Sequence, residues 1–158
     1  MTLISTQPIR VYADTSVYGG VFDDEFAKAS RAFFDRVNEG RFQLVVSALV
    51  EEELAQAPAE VRDWFHSCRA GAESVAVTAE AVTLRQAYLE AGIVTPKSVD
   101  DALHVALATV AQCGIIVSWN FRHIVNYKKV PLYNAVNVLH RYAALDIRSP
   151  LEVTEDED

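Results

Sequence analysis

Short β-rich runs alternate along this chain with amphipathic helical stretches, and no other feature restricts the fold as much. Ile9 to Ala13 (IRVYA), Phe42 to Ser47 (FQLVVS), Ser74 to Val77, Ile115 to Trp119 (IIVSW) and Leu145 to Ile147 read as strands, rich in β-branched and aromatic residues. Between the first two, Phe26, Ala29, Phe33, Phe34 and Val37 recur at helical spacing, and Gly40 stands where a left-handed cap would end the helix. Further helices are expected from Ser47 to near Ala57, from Pro58 to near Gly71 with Val61, Trp64, Phe65 and Cys68 inward, and from Thr78 to Gly92. Ser98 reads as the N-cap of a helix reaching about Gln112, with Asp101 in the capping-box position, and Pro131 to Ala143 as the last helix. Strands separated by helices imply right-handed crossovers and a mostly parallel sheet covered on both faces, a three-layer α/β/α sandwich.

The 158 residues suffice for one domain, expected over 1–153, with 154–158 an acidic and disordered tail. Ala102 to Phe121 carries no formal charge, but Gln112, Gly114, Ser118 and Asn120 interrupt it, so a helix, turn and strand are expected there and not a membrane span. MTLISTQPIR shows no signal-peptide pattern, and Cys68 and Cys113 stand apart without disulfide or zinc spacing. A cytoplasmic protein is the expectation. The formal net charge of −8 argues against a basic nucleic-acid-coating face. Half of that excess sits in Glu155, Asp156, Glu157 and Asp158.

The other acids are placed informatively. In a parallel α/β sheet, strand C-terminal ends and helix N-terminal ends share one edge, where ligands usually bind. Asp14 ends the first strand, Glu51, Glu52 and Glu53 open the helix after the second, Asp100 and Asp101 open the helix before IIVSW, and Asn120 follows that strand. Carboxylates gathered together raise one another's pKa unless a cation neutralises them, and Mg²⁺ or Mn²⁺ suits an all-oxygen set. Such a site favours phosphoester chemistry. Competing motifs are missing: there is no P-loop, no G-x-S-x-G, no dinucleotide fingerprint around Gly19-Gly20, and Ser16 stands where a haloacid-dehalogenase-type phosphatase needs a second Asp.

YADTSVYGGVFD (12 to 23), VSALVEEELAQAP (46 to 58), SVDDALHVALATV (98 to 110) and VSWNFRHIVN (117 to 126) resemble, in order, the motifs of PIN-domain nucleases, most of all the VapC-like toxins. The closing LDIRSPLEV is similar to the end of that group. The resemblance implies a Mg²⁺- or Mn²⁺-dependent ribonuclease, usually homodimeric and commonly paired with a small antitoxin that blocks the site. By position, Asp14 matches the first acid, Ser16 the hydroxyl that follows it, Glu53 the family Glu in preference to Glu51 or Glu52, and Asp101 the third acid. The fourth position, usually Asp, is Asn120 after Ser118, which removes one negative charge. The resemblance thus implies metal ligation by Asp14, Asp101 and Glu53, completed by Ser16 and Asn120. Arg122 and His123 are candidates for phosphate contact, His104 for a substrate or supporting role, and Lys97, Lys128 and Lys129 for a basic rim.

The leading expectation is therefore an endoribonuclease, the toxin of a type II toxin–antitoxin pair. Asn120 and the acidity motivate an alternative, a PIN-fold binding or assembly module without catalysis. A metal-dependent phosphatase acting on small esters is a third.

Overall fold

The protein is described over residues 7–155 in a computed structural model; Met1 to Thr6 and Asp156 to Asp158 lie outside the described residues. Five strands form one sheet: β1 (Ile9–Ala13), β2 (Phe42–Ser47), β3 (Glu73–Val75), β4 (Ile115–Val117) and β5 (Asp146–Arg148). Their order is β3-β2-β1-β4-β5 and every neighbouring pair is parallel. The first strand is thus the central one. Val11, Tyr12 and Ala13 are fully buried, as a strand covered on both faces requires.

The helices are α1 (Thr15–Gly20), α2 (Ala27–Asn38), α3 (Ala48–Leu54), α4 (Ala59–Arg69), α5 (Ala79–Glu90), α6 (Val99–Val110), α7 (Val130–Leu139) and α8 (Pro150–Thr154), with a 3₁₀ turn at Pro96–Ser98 before α6. From β1 the chain steps outward to β2 and β3, then returns across the sheet to β4 and β5. Right-handed crossovers in opposite directions place the two helix sets on opposite faces. The contacts follow that division: α1 meets α2, α3 and α4, and α2 meets α8, whereas α5 packs on α6 and α7. The reversal leaves a topological switch point between β1 and β4 at the strand C-terminal edge, where α/β proteins form their ligand crevice.

Several boundaries differ from the sequence expectation for identifiable reasons. Helix α1 was not expected; Asp14 caps it by accepting from Ser16 N–H, and it starts directly after β1. Helix α8 was not expected either; it forms inside the expected domain and ends at Thr154, where the tail was expected to begin, because Ser149 and Glu152 form a reciprocal capping box with Pro150 in the first turn. The capping box expected at Ser98 does not form: Ser98 makes no side-chain cap bond, and its hydroxyl meets His123 Nε2 at 3.2 Å. Strand β4 stops at Val117 because the next residues turn into side-chain contacts with β1. β3 lies one residue early, with Glu73 held by Arg10 at 2.6 Å. Helix α3 stops at Leu54, and α7 stops at Leu139 with Arg141 in the left-handed region at φ 69°. Asn134 then draws the chain back by bonding both the N–H and the carbonyl of Leu145.

Gly20 marks a close approach between the two central strands' extensions. A Cβ there would lie 2.5 Å from Ser30 Oγ and 2.8 Å from Trp119 Nε1, the two atoms that bond each other at 2.8 Å. Gly20→Ala is expected to destabilise the protein by about 1–3 kcal/mol, as overpacking of a filled site does, with a red-shifted Trp119 emission. Urea denaturation followed by tryptophan fluorescence measures both; an unchanged midpoint and spectrum would refute the close packing.

Candidate active site

Asp14 stands at the switch point. It follows the last residue of β1, and its N–H donates to Val117 O of β4 at 3.1 Å. Two serines hold its carboxylate. Ser16 Oγ donates to Oδ1 at 2.5 Å, and Ser118 Oγ donates to Oδ2 at 2.7 Å. Each serine in turn accepts a backbone N–H from the segment after β4, Ser16 from Trp119 and Ser118 from Asn120, both at 2.9 Å. Asp-x-Ser after one strand and Ser-x-Asn after its neighbour thus interlock across the crevice.

The carboxylate is 4% exposed, and burial raises its pKa against the lowering influence of His104 and of the serine hydrogen bonds. Among the described residues no Lys or Arg pairs with it. A buried anion bonded directly only to neutral donors, with His104 acting on it through space, is incompletely compensated, and a cation beside it would complete the balance.

Glu53 reaches the same edge from α3. Its Oε1 accepts from Thr15 Oγ1 at 2.6 Å and pairs with His104 Nε2 at 2.6 Å. Half-burial would raise its pKa, but the hydrogen bond and charge of His104, together with Thr15, outweigh that and lower it. Behind it runs a buried chain: His104 Nδ1 meets Tyr12 Oη at 2.7 Å, and Tyr12 Oη meets Ser47 Oγ at 2.8 Å. Ser47 also caps α3, accepting from Val50 N–H, so the strand end that starts α3 and the histidine of α6 jointly fix Glu53. Of the three consecutive acids only Glu53 enters this network; Glu51 pairs with Arg69, and Glu52 is exposed.

His104 is 3% exposed and both ring nitrogens have partners, which corrects its candidacy for substrate contact. It positions Glu53. Asp101 lies in the first turn of α6, one helical turn before His104 on the same face, and is partly exposed, whereas its neighbour Asp100 is exposed. Asn120 Oδ1 accepts from the N–H groups of Arg122 and His123 at 3.2 and 2.9 Å. Its carbonyl therefore shapes the loop, leaving its amide as the donor free for a phosphate.

His123 is partly buried, with Ser98 on one side and Lys129 Nζ at 3.2 Å on the other. Burial, Lys129 and Arg122 lower its pKa against Asp101, so it is neutral near pH 7 and ties the loop after β4 to the start of α6. Arg122 is exposed. Lys97 and Lys128 are exposed beside these segments, and Lys129 is engaged with His123.

No three His, Cys, Asp or Glu side chains among the described residues are gathered as a metal-holding group. The donor chemistry nevertheless fits a hard divalent ion, which takes only one or two carboxylates and fills its other positions with water and phosphate. Thr15 escaped the sequence reading because nothing in its spacing marks it, and Tyr12 because it reads as strand core. Ser118 carried a signal, the spacing it shares with Ser16.

Comparison with protein-family models gave no match, and comparison with curated proteins gave none. Among solved structures, the chain is similar to one in the crystal structure of VapBC2 from Rickettsia felis bound to a DNA fragment from their promoter, with TM-score 0.58 and 11% identity over 89% of this chain and 98% of that one. No helix here is long and apolar enough to cross a membrane among the described residues. The likeness and the all-parallel strand order together show that this chain has a PIN-like α/β fold, as its four motifs imply.

Proposed function

We propose that the protein is a metal-dependent endoribonuclease. The observation that carries this reading is Asp14: a buried carboxylate at the switch point, gripped by two serines and lacking a cationic partner among the described residues. Asp14 and Asp101 would hold Mg²⁺ or Mn²⁺, with Glu53 as a further ligand or as the group that orients water. A bound ion draws charge from phosphoryl oxygens and lowers the pKa of water. Ser16 and Ser118 keep both Asp14 oxygens in one orientation. Thr15 and His104 hold one oxygen of Glu53, so its other oxygen is the one available to accept a proton from an attacking water. The Asn120 amide and Arg122 would donate to phosphate.

The two-component promoter complex of the structural neighbour supports a toxin role here, with an antitoxin partner and a homodimeric state as parts of the same proposal. Purified wild type should cleave RNA in Mg²⁺ or Mn²⁺, and Asp14→Ala should lower the rate at least a hundredfold. Equal cleavage by both, or none by a folded wild type across varied RNAs, would defeat the nuclease reading.

The buried charge of Asp14 yields a test that needs no substrate. A raised folded-state pKa means that its contribution to stability is present below the ordinary Asp value, about 4, and is lost as pH rises through the folded value. At pH 7 without divalent ions, Asp14→Asn should therefore melt above wild type. Mn²⁺ should raise the wild-type Tm and leave that of Asp14→Asn unmoved. A lower Tm for Asp14→Asn in chelator, or an equal Mn²⁺ response, would count against the cation site.

The ungathered acids and the engaged carbonyl of Asn120 favour the second reading, a non-catalytic binding module. Calorimetric Mn²⁺ titration separates the two. Binding weakened at least tenfold by Asp101→Ala fits the nuclease; no Mn²⁺ binding fits the module.

A further inference from the structure

We infer that the pocket beside the Asp14 clamp is a nucleobase subsite, taking an unpaired base of single-stranded RNA onto the exposed ring of Phe121, against the pocket wall that Trp119 forms. This rests on the nuclease reading for its substrate class. The cavity measures about 530 Å³, within the size of small-molecule pockets, roughly 300–1,000 Å³. It lies between α2, α8 and the loop after β4, with Phe26, Trp119, Phe121 and Leu151 in its wall and Glu25, Lys28 and Glu155 at its polar positions.

Three observations favour a base over other occupants. The pocket is continuous with the site: Trp119 N–H donates to Ser16 Oγ, which donates to Asp14, and Trp119 and Phe121 flank Asn120. A phosphate at Asn120 would leave its neighbouring base within reach of these rings. The platform is also rigid, since Trp119 is fixed by Ser30 through Nε1 and by Phe26 stacked on it at 4.3 Å. Phe121 stands edge-on to Trp119 at 6.1 Å and is 50% exposed, which leaves its ring free to stack on an incoming base. Finally, Glu25 and Glu155 outnumber Lys28, so the pocket repels phosphate while offering carboxylate acceptors to exocyclic amines. The RNA backbone would run past Arg122 and point a base inward. Weak overall attraction by an acidic protein makes such stacking the main source of substrate preference.

Only Trp64 and Trp119 fluoresce as tryptophans, and Trp64 Nε1 is a buried donor without a partner, so Trp64→Phe leaves Trp119 as the reporter at little structural expense. In buffer without divalent ions, a mixed-sequence single-stranded RNA decamer should quench Trp119, whereas an abasic decamer and an RNA duplex should not. In that background Phe121→Ala should weaken binding of the single strand about tenfold, and Phe121→Tyr should restore it. Equal quenching by the abasic or duplex probe, no binding of the single strand, or full binding by Phe121→Ala would each overturn the subsite. A protein that cleaves RNA without quenching sinks the subsite alone. One that binds and quenches without cleaving sinks the nuclease reading and leaves the base pocket standing.

Discussion

Everything at the candidate site depends on how a negative charge is kept inside the molecule. Asp14 sits where water is excluded, just past the end of the central strand, and its two oxygens are held by hydroxyls from both sides of the crevice. Neutral donors can orient a buried carboxylate but cannot balance it. The same serines accept backbone N–H groups from the segment after β4, so the charge, the end of β1 and the path of the following loop form one hydrogen-bonded unit. Glu53 presents a contrasting solution. It is partly exposed, its pKa is lowered, and a histidine anchored by Tyr12 and Ser47 stands behind it. Two carboxylates on one edge are thus tuned in opposite directions by burial and by partners, the usual arrangement when acids have different tasks.

The fold explains why these residues meet. Placing the first strand in the centre and reversing direction after the third puts the ends of β1 and β4 side by side, with helices on both faces keeping the strands dry. The helix set that includes α1 and α2 carries Thr15, Ser16 and Ser30 to the crevice, and α6 from the other set brings His104 against Glu53. Neither set alone would build the constellation.

Much of this was legible from the sequence. Long-range order followed from the alternation of IRVYA, FQLVVS and IIVSW with helical periodicity, since those patterns report burial directly. Asp14 and the run Glu51 to Glu53 were legible as site candidates because strand ends and helix starts share an edge, whereas the choice of Glu53 within that run came from the resemblance alone. What was not legible depended on short elements and on partners distant in the chain. Helix α1 has only six residues and two adjacent glycines, too few for a periodic signal. Helix α8 was hidden by the acidic composition that follows it. Ser98 looked like a cap because Ser usually is one, yet His123, 25 residues away, claims its hydroxyl. The role of His104 could not be read from an apolar helix, where a histidine and its partner need tertiary proximity to be recognised.

Asp14 and Ser118 are 104 residues apart in sequence. A ribosome releases the central strand about a hundred residues before its β4 neighbour, so β1 must wait for the partner that gives Asp14 its second hydroxyl. Contacts of such separation form late and slowly. The emerging chain therefore has no completed crevice until β4 has followed β1 out, and the buried carboxylate gains its full set of donors only as the sheet closes around it.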